Sequence, residues 1–100
     1  MRALKHPEAS EFVLERVLYA LSDPVRIEII RRLDSMAEAT CGELDGGRPK
    51  SSVSHHFRVL RDAGLMRTRT VGTTHMNSLR KDELERRFPG LLDSILSHST

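Results

Sequence analysis

Lys50-Ser51-Ser52-Val53-Ser54-His55-His56-Phe57-Arg58-Val59-Leu60-Arg61-Asp62-Ala63-Gly64 is the stretch whose reading decides the fold. Drawn as a helix at about 100° per residue, it spreads Val53, Phe57, Val59 and Leu60 around one side. Ser51, Ser54, His55, Arg58 and Asp62 occupy the other side, with Lys50 and Arg61 at its margins. The pattern predicts an amphipathic helix that begins between Pro49 and Ser52. Gly64 would end it, because glycine accepts the left-handed conformation common just past a helix. Small hydroxyls and flexible cations on the outer side donate to phosphates or base edges without blocking a groove. The free N–H groups and partial positive charge of the amino end also favour a phosphate. A solvated surface helix with a serine cap would show the same wheel, so the flanking residues have to decide.

Upstream, Thr40 can cap a short helix, with Glu43 three residues on as its capping-box partner, Leu44 pointing inward and Gly46-Gly47 closing it. A short helix, a tight turn and a longer helix make a helix-turn-helix. Downstream of Gly64 the period changes. Leu65 to Val71 and His75 to Leu79 alternate and are rich in Thr and Val, with Gly72-Thr73-Thr74 between them. That predicts a β-hairpin with a loop of three residues or slightly more. Arg67 and Arg69 stand two residues apart and so project from one face of their strand. With Thr73 and Thr74 at the tip, the hairpin is a narrow basic finger suited to phosphates or the minor groove. The expected fold is therefore mainly α with a small β-hairpin, a winged helix-turn-helix.

Charge is distributed accordingly. Residues 48 to 80 hold seven Lys/Arg against the single acid Asp62, whereas the rest of the chain holds nine bases and thirteen acids. A positive middle third in a chain of net charge +2 is the footprint of a polyanion-binding surface, or of a merely solvated face.

The outer segments read as helices. Ser10 can cap one running to about Leu21, with Phe12, Leu14, Val17 and Leu18 at helical spacing. Val13 and Tyr19 widen its apolar surface, which suggests core on one side and a partner chain on the other. Asp23 caps a second helix with Pro24 at its first position; Val25, Ile29, Ile30 and Leu33 face inward, while Arg26, Arg31 and Arg32 lie mostly away. Ser35 to Glu38 reads as a linker. After the hairpin, Lys81 to Leu84 resumes helix, Phe88-Pro89-Gly90 interrupts it, and Leu91, Leu92, Ile95 and Leu96 form a last apolar stripe.

One hundred residues suit one domain, here residues 1–100. The expected parts are a helix-turn-helix at 40–64, a wing at 65–79 and terminal helices at 10–21 and 89–97. Cys41 is the only cysteine, so no internal disulfide forms. No apolar run approaches the roughly 20 residues that span a bilayer, and the first residues do not read as a signal peptide. A cytoplasmic protein without membrane contact is expected. No spacing resembles a nucleophile–base pair, a phosphate loop or a hydrolase metal motif, so neither enzyme activity nor a cofactor is expected.

Two segments carry a family resemblance: Leu21-Ser22-Asp23-Pro24-Val25-Arg26, and Ser51 through Leu65. They resemble the ArsR/SmtB family of dimeric winged-helix repressors. The resemblance implies that Ser54, His55 and His56 lie in the DNA-contacting helix. It also implies that the hairpin from Arg67 to His75 is the wing, and that the first and last helices build a homodimer on a double-stranded operator. The DNA-contacting set expected from residues and resemblance together is Lys50, Ser51, Ser52, Ser54, His55, His56, Arg58, Arg61, Arg67, Arg69, Thr73 and Thr74. His56 is divided: it matches the family's recurrent histidine, yet the wheel sets it beside Phe57 and Leu60, where a half-buried structural histidine fits equally. Family members commonly leave DNA on binding an effector, often a metal. One family site uses paired cysteines before the recognition helix, where this chain has Cys41 alone; soft metals need several such ligands. Another lies on the last helix, where Asp93 and His98 diverge by about 140° and cannot share a metal within one helix, though a partner subunit could complete a site. No metal site is expected and the effector stays unidentified. Cys41, near a helix start, is either a reactive thiol or a packed small residue. A protein-interaction module that keeps the fold without regulating DNA is the competing reading.

Overall fold

The computed structural model describes residues 4–99. Helix α1 spans Leu14–Ala20 and α2 spans Pro24–Asp34. Strand β1, Ala39–Thr40, leads into α3, Cys41–Leu44, and then α4, Lys50–Ala63. Strands β2, Met66–Val71, and β3, Thr74–Leu79, are followed by α5, Lys81–Arg87, and α6, Leu91–His98. The chain is a winged helix-turn-helix, mostly helical with one small antiparallel sheet in the order β1-β3-β2.

Local chemistry explains most boundaries. Asp23 Oδ1 accepts from the Val25 and Arg26 amides at 2.8 and 3.3 Å, and Pro24 occupies the first turn of α2. Burial alone would raise the Asp23 pKa, but these two amides and the Arg26 charge outweigh it, and the carboxyl sits below its ordinary value. Thr40 and Glu43 form the reciprocal capping box on α3, at 3.2 and 2.8 Å. Gly64 ends α4 at φ 91°, and its amide donates back to Arg61.

The first helix is shorter than its periodicity predicts. Ala9–Glu11 forms a separate 3-10 turn closed by Glu8 and Glu11, Phe12 is extended, and α1 starts after Val13 without a side-chain cap. The cause is packing. The Phe12 ring is buried against Gly64, so close that a Cβ there would meet Phe12 Cε1 at 2.3 Å, and the Arg80 guanidinium covers the ring at 4.8 Å. A helix continuous from Ser10 would forgo that contact.

The core joins Val17, Ala20 and Leu21 to Ile29, Ile30 and Leu33, and to Leu44, Val53, Phe57 and Leu60 under the sheet residues Leu65 and Met66. Arg26 is the exception to its expected orientation: it is buried, 5% exposed, among these residues.

The sheet has a third strand, just after the predicted linker, that the periodicity does not predict. Ala39 and Thr40 pair with Asn77 and Met76, so β3 is central and its Asn77 is fully buried. Asn77 Nδ2 donates to the Ala39 carbonyl at 3.1 Å and to Cys41 Sγ at 3.4 Å, while Thr68 Oγ1 donates to Asn77 Oδ1 at 2.6 Å. A single amide thus fastens β1, the start of α3 and the hairpin together. The outer edge of β2 is covered by the N-terminal segment. The Thr68 amide donates to His6 Nε2 at 2.9 Å, and Arg80 donates to the Pro7 carbonyl at 2.8 Å. Burial, then the charges of Arg67, Arg80 and Arg61, hold the His6 pKa below its ordinary value, which keeps this acceptor neutral.

Candidate nucleic-acid interface

Helix α4 follows a turn in which Gly46 and Gly47 take φ 63° and 81°. Pro49 is its N-cap and makes no side-chain capping bond, so the first amides of α4 have no side-chain cap. Val53, Phe57, Leu60 and Ala63 are buried, and Lys50, Ser51, Ser52, Ser54, His55 and Arg58 are exposed along the opposite side. Ser52 and Ser54 donate to the Pro49 and Lys50 carbonyls at 2.9 and 2.8 Å. Their hydroxyl oxygens remain as acceptors. Arg58 stands 3.9 Å from Asp62, an exposed pair of little energetic weight. His55 is exposed, its ring centroid 5.9 Å from that of His56.

His56 is half-buried and turns inward at one nitrogen: Arg26 Nη1 donates to His56 Nδ1 at 3.1 Å. The inner position read from the wheel is therefore occupied by a hydrogen bond to a side chain of α2.

The wing turns in two residues, one fewer than expected. Val71 pairs with Thr74, and Gly72 at φ 62° takes the first turn position, leaving Thr73 as the second. Arg67 and Arg69 share the exposed face of β2, with Thr68 buried behind them. Neither guanidinium stands alone. Arg69 makes a two-pronged pair with Glu38 at 2.8 and 2.7 Å, and Arg67 meets Glu83 at 3.4 Å. The hydrogen bond to Arg69, against a smaller opposing effect of burial, lowers the Glu38 pKa, and Glu38 raises that of Arg69.

Between α3, α4 and the wing lies a cleft of about 560 Å³. Lys50, Ser54 and Arg61 line it from α4, and Thr73, Thr74 and His75 from the hairpin. Cys41 borders it, half-buried, with its sulfur accepting from Asn77. Among the described residues no group of three or more His, Cys, Asp or Glu is arranged to hold a metal ion, and no helix is long and apolar enough to cross a membrane.

Comparison with known proteins bears on this geometry. The model of a helix-turn-helix domain matches residues 21–69. An uncharacterized HTH-type transcriptional regulator, YceK of Bacillus subtilis, is 36% identical over 91 residues, which cover 88% of this chain and 91% of that protein. The arsenical resistance operon repressor of Staphylococcus xylosus is 34% identical, over 72% of this chain and 70% of the relative. A solved ArsR family transcriptional regulator superposes with a TM-score of 0.67 at 26% identity, covering 84% of this chain and 88% of that one. This chain belongs to the ArsR family. It is an ArsR-type transcriptional regulator with a DNA-binding helix-turn-helix.

Within this ArsR-family chain, Arg26 is the residue whose part the sequence reading missed. Arg26, Ile29, Ile30 and Leu33 follow the spacing i, i+3, i+4, i+7, so the periodicity already set Arg26 on the inner stripe of α2. Its charge argued for solvent, and its partners lie on other helices. Glu38 and Glu83, partners of the wing arginines, gave no signal in sequence at all.

Proposed function

We propose that the chain is a homodimeric repressor whose α4 reads a near-palindromic operator, with the wing on the flanking backbone and an unidentified effector prompting release. The observation that carries this reading is the exposed side of α4: Lys50, Ser51, Ser54, His55 and Arg58 stand in one row above an uncapped helix N-terminus. The cations and the Ser51 hydroxyl donate to phosphates and base edges, the Ser54 oxygen accepts from base amino groups, and the helix end attracts a phosphate. Ser52, Arg61, Thr73 and Thr74 flank the row, and Arg67 and Arg69 add positive charge on the exposed face of the wing. Cations already paired with Glu38 and Glu83 exchange an exposed ion pair for a phosphate, at small cost. His56 joins the set through the ring edge not held by Arg26. Repression is supported by the relative named for it, the arsenical resistance operon repressor. Dimerisation is supported by α1, where Val13, Leu14, Leu18 and Tyr19 are 40, 41, 45 and 60% exposed.

Fluorescence anisotropy on a duplex selected by this chain from a random library tests the reading. Changing Arg67 and Arg69 together to alanine is expected to weaken binding to every sequence and to reduce the salt slope by up to about two. His55→Ala is expected instead to alter which bases are preferred. Salt-independent binding, or selection of sequences without dyad symmetry, would sink the proposal.

A further inference from the structure

The geometry points to Arg26 as a positioning residue for DNA reading: it locks His56 of α4 in the tautomer protonated on Nε2 and ties that ring to the end of α1. The inference rests on the proposed reading of α4 as the DNA-contacting helix. Arg26 is buried on α2, and its guanidinium donates to three acceptors on two other helices. Nε donates to the Ala20 carbonyl at 2.7 Å and Nη2 to the Tyr19 carbonyl at 3.3 Å. Both acceptors belong to the last turn of α1, where the helix dipole favours a cation; the Tyr19 carbonyl also accepts from the Ser22 amide and hydroxyl at 3.0 and 2.6 Å. The same guanidinium lies over the Tyr19 ring at 5.2 Å. With Nε and Nη2 committed to α1, the direction of Nη1 is set, and Nη1 meets His56 Nδ1 at 3.1 Å.

Arginine has donors and no acceptor, so in this contact Nδ1 must accept and the ring proton of neutral His56 resides on Nε2. Among the described residues Nε2 has no hydrogen-bond partner, and no buried side-chain nitrogen or oxygen among them lacks one. Nε2–H therefore opens to solvent, on a helix whose exposed side holds His55 and Ser52. One nitrogen is fixed inward and the other presents a donor of defined direction. A donor held in this way loses less freedom on meeting an acceptor atom of a base or phosphate than a ring that must also choose its tautomer. Because Tyr19 and Ala20 hold the guanidinium, the ring's orientation also follows the position of α1, the helix with the exposed apolar face.

Long-range proton–nitrogen spectra of the full, nitrogen-15-labelled chain at neutral pH test the lock without DNA. His56 should show an unprotonated Nδ1 and a protonated Nε2 in the wild type, and a mixture of tautomers in Arg26→Met, whose side chain fills the space without donors. Arg26→Lys, which retains the charge but cannot span three acceptors, should show the same mixing and covers the case in which Arg26→Met does not fold. A wild-type ring protonated on Nδ1, or an unchanged tautomer in either folded variant, overturns the proposal. On the library-selected duplex, Arg26→Lys should weaken binding about tenfold, and by less than twofold once His56 is alanine. Two losses that simply multiply would show a structural role for Arg26 and reject positioning. If the wild type shows the expected tautomer yet binds no duplex, the reading of α4 fails while the lock between Arg26 and His56 stands.

Discussion

Glu83 accepts from two arginines that belong to different parts of the fold. Arg80 approaches with Nε and Nη2 at 2.8 and 2.9 Å, and Arg67 of the wing with Nη2 at 3.4 Å. Arg80 itself is buried, reaching the Pro7 carbonyl and covering Phe12, so the carboxylate neutralises the cation that joins the N-terminal segment to α5. The hydrogen bonds from Arg80, against a smaller opposing effect of burial, lower the Glu83 pKa to about 2. A carboxyl depressed in the folded state contributes stability that is complete above its ordinary value of 4.5 and lost as pH falls toward about 2. Thermal melts between these limits should therefore drop less steeply for Glu83→Gln than for the wild type, from a lower plateau near neutrality. Parallel curves would mean that Glu83 adds nothing specific to acid sensitivity. None of this was legible in sequence. Arg80 and Glu83 stand at ordinary helical spacing, and only burial separates this pair from a surface one.

At the scale of elements, the turns and caps follow from single residues, and the joints between elements follow from two buried contacts. Gly64 is the first. Its φ of 91° disfavours any side chain, and a Cβ would meet Phe12 Cε1 at 2.3 Å, in a packed core with nowhere to retreat. Gly64→Ala should cost at least about 2 kcal/mol, seen as a lower urea midpoint with an unchanged slope. A loss of a few tenths would show that the contact is slack. The second joint is Asn77. Truncation to alanine removes the side-chain donors to Ala39 and Cys41 and the acceptor of Thr68, leaving the buried Thr68 hydroxyl without its partner. Asn77→Ala should cost about 2–3 kcal/mol, and it should speed amide exchange in β1 before the core of α4 is affected. Uniform acceleration across the chain would argue against a local joint. The glycine at the end of α4 and the capping box of α3 could be read from sequence because they act within a few residues. The break at Phe12 and the strand at Ala39 could not, because both depend on residues far along the chain.

For the whole molecule, size and surface set the expectations. One chain measures 35 × 30 × 22 Å, while successive major-groove faces of a duplex lie about 34 Å apart. A single protomer with one α4 therefore covers one half-site, and reading two requires a second copy. The proposed joint is the α1 face of Val13, Leu14, Leu18 and Tyr19. The double change Leu14→Asp with Leu18→Asp, at positions 41 and 45% exposed, should leave the fold intact and yield monomers by sedimentation. Operator affinity should then fall by at least about a hundredfold, as the second half-site is no longer held on the same particle. A dimer that survives both aspartates would move the association surface elsewhere. The sequence by itself determined the helix-turn-helix, the hairpin and which side of α4 faces out, because periodicity, caps and glycines act through neighbours in the chain. Only the tertiary structure decided that Arg26 turns inward to His56, that Arg67 and Arg69 stand paired with Glu83 and Glu38, and that β1 completes the sheet. Each of these joins residues at least sixteen positions apart, and the geometry that makes such partners meet is created by packing the core.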